Sequence, residues 1–179
     1  EKENISTLSE KSEMLLTILS SLAQGESETI SSNNKWGIKK RFEDGTFKLS
    51  IPAYGYTKNK NGELIINKEE AKIVRRIFAE YINGKGPYVI ARGLNEMAGP
   101  GKSVFKQVKV ILQNPIYEGD LLLQKTYTTE VLPFERKVNK GEMPQYFIEN
   151  NHEPIITREE GQMVREIYEY RRKQMGIDD

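Results

Sequence analysis

Cysteine is absent from the 179 residues, and histidine and tryptophan occur once each, as His152 and Trp36. Without cysteine there is no disulfide framework and no thiolate metal site, and the composition fits a reducing cytoplasm, where the protein is expected. A single histidine leaves too few parts for a histidine-based metal cluster or a Ser-His-Asp triad. No apolar run approaches the roughly 18 residues of a membrane span. The opening Glu1-Lys2-Glu3-Asn4 is polar and does not read as a signal peptide. Proline is missing from Ser12 to Asn33, so nothing there interrupts a helix.

What is present is charge. Charged residues make up 30% of the chain and hydrophobic ones 37%, a balance that suits one soluble domain with a modest core, or a domain with an appendage. Both ends lie inside helical patterns, so a piece of a longer protein is expected. The formal net charge of +1 conceals a strong asymmetry. Residues 1–30 hold 2 basic and 6 acidic side chains, residues 31–115 hold 16 and 7, and residues 116–179 hold 9 and 13. A positive middle between negative ends is the trace that phosphate binding leaves in a sequence. Uneven surface charge without a partner is the plainer alternative.

The basic middle contains the most informative stretch, Pro87 to Gly119. Val89, Ile90 and Leu94 recur at helical spacing, and Ala98-Gly99-Pro100-Gly101 breaks the chain. Val104, Val108, Ile111 and Leu112 then form a second apolar stripe, and Asn114-Pro115 stops it. The faces left over carry Ser103, Lys106, Gln107 and Lys109, with Lys102 at the start and no acid. Two short helices around a tight turn, the second with a basic outer face, match a helix-turn-helix, although two core helices with a solvated lysine face would read the same way.

Upstream, Met14, Leu15, Ile18, Leu19 and Leu22 predict a long helix over residues 12–33. Its apolar stripe requires cover from this domain, a second copy or a further domain. Residues 35–48 read as a basic linker in which Lys35, Lys39, Lys40 and Arg41 bracket Trp36, able to lie along a DNA groove. Residues 49–67 predict a hairpin around Asn61-Gly62. Asn67 and Glu70 resemble a capping box for a helix over 68–83, with Ile73, Val74, Ile77, Phe78 and Tyr81 inward. After Pro115 the pattern turns to strands, Gly119–Thr129 and Gln145–Glu149, with Pro133–Met143 an exposed loop between them. Thr157 and Glu160 cap a last helix with Met163, Val164, Ile167 and Tyr168 inward. The fold class expected is α+β: a long N-terminal helix (1–34), the linker (35–48) and a mixed helix/strand domain (49–179) containing the helix-turn-helix.

In order and spacing these blocks resemble the large serine recombinases, the serine integrases and transposon resolvases. Residues 12–28 resemble the end of the resolvase catalytic domain and its connecting helix. Ile51-Pro52-Ala53-Tyr54-Gly55-Tyr56 resembles the start of the recombinase domain, followed by INKEEAKIVRRIF (66–78), QNPIYEGDLLLQK (113–125), NKGEMPQY (139–146) and NHEPII (151–156). One departure is that relatives often carry a tryptophan just before the third helix of the domain, whereas this chain has Pro100-Gly101-Lys102-Ser103-Val104-Phe105, with Phe105 one candidate for that place. The resemblance implies a DNA-binding fragment that recognises half of a double-stranded attachment site during integration or excision of a mobile element. It also implies a parent that self-associates as a dimer and a synaptic tetramer. The serine nucleophile would lie N-terminal to residue 1, so no catalytic residue is assigned and the fragment by itself is expected to be inactive. No cofactor is expected here, since the family's zinc belongs to a cysteine-rich ribbon further downstream. The DNA-contacting set is Lys35, Trp36, Lys39, Lys40, Arg41, Lys102, Ser103, Lys106, Gln107 and Lys109. A non-enzymatic regulator, with a dimerising helix and two helix-turn-helix heads, is the alternative from another class; it leaves the blocks from 113 to 156 unexplained.

Overall fold

The computed structural model describes residues 2–98, 105–129 and 133–176, with side chains described over 12–94, 108–129 and 133–176. Two compact units divide between Phe47 and Lys48.

The first unit is one helix, α1 (Lys2–Glu43), 42 residues and about 63 Å long. It is longer than the sequence pattern predicts, and residues 35–43, expected to be linker, belong to it. No proline intervenes, Gly37 costs a helix only about 1 kcal/mol, and Lys39–Glu43 and Lys40–Asp44 pair one turn apart at 3.9 and 3.7 Å. The stop comes at Gly45, whose φ of 67° is left-handed. Phe47 N–H then donates to Arg41 O at 3.1 Å, and the Phe42 and Phe47 rings meet edge-on at 4.7 Å. Met14, Leu15, Ile18, Leu19 and Leu22 are all exposed along α1.

In the second unit, β1 (Tyr56–Lys58) and β2 (Leu64–Ile66) form the expected antiparallel hairpin, Tyr56 opposite Ile66 and Lys58 opposite Leu64. Its loop is five residues, with Asn61 and Gly62 in the middle. Asn59 Oδ1 accepts from the Asn61 and Glu63 amides, both at 2.9 Å, and Gly62 takes φ 78°. Asn67 caps α2 (Lys68–Ile82) by accepting from the Glu69 and Glu70 amides. The Glu70 carboxylate does not complete the expected box; it accepts from Gly55 N–H at 2.9 Å and so ties the hairpin to the helix.

The core gathers Ala71, Val74, Ile77, Phe78 and Tyr81 from α2 with Ile90, Ala91 and Leu94 from α3 (Pro87–Ala98). Val108, Ile111 and Leu112 come from α4 (Phe105–Leu112). Ile73, Val89 and Met163, expected inward, are exposed. The buried stripes are narrower than hydrophobicity alone marks out.

A 3-10 turn, Pro115–Glu118, follows, capped by Asn114 and ended by Gly119 at φ 91°. The long strand expected over 119–129 is two, because Gln124 takes the left-handed φ of 59°. The first, β3 (Leu121–Leu123), pairs with β6 (Tyr146–Ile148), and the second, β4 (Thr126–Thr128), pairs with β5 (Arg136–Val138). Residues 133–143 are therefore not only loop. They include β5 and the buried Asn139, whose amide donates to Gln124 O and Met143 O at 2.9 and 2.8 Å.

The last helix, α5 (Arg158–Gln174), starts at the expected capping box of Thr157 and Glu160. Arg165 pairs with both oxygens of the buried Glu118, and Arg158 reaches Asp120 at 3.0 Å. At the far end Arg171 lies 4.6 Å from the Tyr81 ring centroid and donates to Gly84 O and Lys85 O at 2.7 and 3.1 Å. The hairpin is joined to the later half by Tyr56, whose hydroxyl lies 3.1 Å from Ile116 O and 3.0 Å from Glu153 O. Burial pushes the Tyr56 phenol well up, so it stays a donor.

Candidate nucleic-acid interface

Basic residues are useful to a polyanion only where the fold leaves them available, and much of the positive middle is already engaged. Arg75 donates to Ile155 O at 3.0 Å, Lys72 pairs with Glu69 at 2.9 Å, and Lys58 donates to Ser50 O at 3.0 Å. Arg76 and Lys85 both hold Glu80, at 2.7 and 3.2 Å. The Arg76 hydrogen bond, aided by Lys85, keeps the Glu80 carboxyl below its usual range. Arg75, Arg76 and Lys85 are thereby tied into the fold, whereas the contacts of Lys72 and Lys58 are exposed.

On α1, Lys35, Trp36, Lys39, Lys40 and Arg41 are all exposed, Trp36 at 69%. Because the segment is helical, successive residues turn by about 100°. Lys35, Trp36, Lys39 and Lys40 thus share an arc of about 140°, with Arg41 about 100° further round. The Lys39–Glu43 and Lys40–Asp44 pairs are exposed, and such pairs are worth about 0.3–0.5 kcal/mol. Neither pair would hold its lysine strongly against a competing anion.

Within the second unit, α4 buries Val108, Ile111 and Leu112 and exposes Lys109 and Val110, and Gln113 is exposed in the turn just after it. Its eight residues include no Asp or Glu. Lys109 Nζ lies 5.9 Å from the centroid of the Tyr168 ring, a cation–π contact with α5 that holds it to one side. Lys106 and Gln107 occupy the first turn of α4, and their side chains lie outside the described residues, as do Lys102 and Ser103 altogether. Sequence reasoning left out Val110 and Gln113. The signal was there: Val110 sits two residues from Val108, which turns it to the opposite side of the helix from the apolar stripe.

Among the described residues no group of three or more His, Asp or Glu could hold a metal ion, and no helix is long and apolar enough to cross a membrane. His152, the lone histidine, is occupied in the fold. Its Nε2–H donates to Ile116 O at 2.7 Å and its ring meets Tyr56 edge-on at 4.8 Å.

The Recombinase family model matches residues 68–171, from the start of α2 into the last turn of α5, and the chain belongs to that family. Two solved structures share its fold. One is the crystal structure of an LSR–DNA complex (LSR, large serine recombinase), at 23% identity and a TM-score of 0.54, aligned over 82% of this chain and 39% of that one. The other comes from work on the sequence requirements of the Listeria innocua prophage attP site, at 22% identity and a TM-score of 0.50, over 75% of this chain and 50% of that one. This chain thus spans half or less of the length of either. No curated protein matches it.

Proposed function

We propose that this chain is a DNA-binding part of a large serine recombinase and recognises half of a double-stranded attachment site. Family membership over residues 68–171 carries the reading, since that span includes the acid-free helix α4. In this reading α3 and α4 act as a helix-turn-helix, with Lys102, Ser103, Lys106, Gln107 and Lys109 toward the major groove. There glutamine can pair with adenine and lysine with guanine. The basic face of α1, with Lys35, Trp36, Lys39, Lys40 and Arg41, contributes phosphate and minor-groove affinity with little sequence preference. Strand cutting belongs to a serine domain N-terminal to Glu1, and zinc to a ribbon beyond Asp179. The full-length parent assembles as a dimer and then a synaptic tetramer, in the cytoplasm.

Footprinting of the chain on candidate element-end DNA at two salt concentrations tests this. A discrete protected tract that weakens steeply with salt is expected. Protection no stronger than on unrelated DNA, at either salt, would overturn the reading.

A further inference from the structure

Among the described side chains of α4, Lys109 and Val110 are exposed, and only Val110 of the two is apolar. Val110 is 62% exposed in the middle of the helix. At about 100° per residue it lies some 200° from the buried Val108. The exposed Gln113 follows it, in the turn just past Leu112, the last residue of α4. Helix formation gives no reason for a valine there, because β-branched residues lose rotamer freedom in a helix. Core packing gives none either, since the side chain points away from the core.

We propose that Val110 reads a thymine, packing its two methyl groups against the base's C5 methyl in the major groove, with Gln113 set to reach the edge of a neighbouring base pair. This rests on the DNA-contact reading above and adds to it a base-reading position. The occupant follows from the surroundings of the valine. No acid lies on α4, so the face suits a polyanion, and the C5 methyl of thymine is the apolar feature of the major-groove code. An apolar contact on the helix and a glutamine just past its end correspond to a thymine and a neighbouring adenine.

The test replaces each thymine of a bound half-site duplex, one at a time, by deoxyuridine, which lacks only the C5 methyl. Affinities are compared for the unaltered chain and Val110→Ala, a variant whose alanine favours the helix and disturbs no buried contact. One position is expected where uracil weakens the unaltered chain about fourfold, the worth of one buried methyl group, and leaves Val110→Ala unchanged. Uracil effects equal for the two proteins at every position would overturn the role of Val110, while sequence-specific binding by the unaltered chain would leave the wider reading standing. Absence of binding to any element-end duplex would overturn both.

Discussion

At the residue scale, small side chains and one imidazole fix how the later half of the second unit packs. Gly161 opens α5 directly against the Glu118 carboxylate, and a Cβ built there would fall onto the carboxylate atoms. Gly161→Ala must therefore displace Glu118 from Arg165. A net loss of up to about 2 kcal/mol is expected: overpacking of this kind costs about 1–3, less the about 1 that alanine gains over glycine in a helix. Urea unfolding reads it, and an unchanged or raised midpoint would show that Glu118 has room to move. His152 makes a prediction about pH. Burial pulls its pKa below the usual histidine value, outweighing the Ile116 carbonyl and the Asp120 charge, which act the other way. The folded chain thus holds it neutral at a pH where the unfolded chain takes up a proton. Its contribution is complete above the unfolded value of about 6.5 and is lost as pH falls through that value toward the folded one. The gap in urea midpoint between the unaltered chain and His152→Gln should narrow from pH 7.5 to pH 5. A gap that stayed constant would mean the imidazole does not titrate with folding.

The elements show which parts of the fold could be read in advance. Helices α2, α3 and α5 were legible because caps and stripes agree: Thr157 with Glu160, Asn67 ahead of a 3.6-residue period, Gly84 after it. The break at Gln124 was not, since glutamine carries no turn signal and only the pairing of β3 and β4 with different partners makes its left-handed backbone necessary. Asn139 was hidden for a similar reason. A polar residue in a charged stretch looks like loop until its amide is seen to join Gln124 to Met143. Of the candidate interface, residue identities were legible but setting was not. Lys35 to Arg41 read as linker because Gly37 and the density of charge suggest one, whereas the chain simply continues the helix. A Cβ added at Gly37 would meet nothing within 4 Å, so Gly37→Ala should raise helicity by circular dichroism and stabilise α1 by about 1 kcal/mol. A flexible linker would show no gain.

For the whole molecule, the count of positive charge overstates what is available to a partner, because Arg75, Arg76 and Lys85 are tied into the fold. Lys39 and Lys40 are held only by weak exposed pairs. Replacing both with alanine is expected to weaken every DNA sequence by a similar factor. It should also reduce the slope of log affinity against log salt by about 2, one unit for each lost phosphate contact. Equal slopes for variant and parent would remove these lysines from the contact set.

The Tyr56 hydroxyl meets carbonyls 60 and 97 residues further along the chain, and Arg171 clasps the corner at Gly84 and Lys85. Each side of that corner is therefore gripped by parts that come much later in the sequence. A protease that severed the backbone there would release nothing: the two pieces would stay clamped together, and only a denaturant would part them.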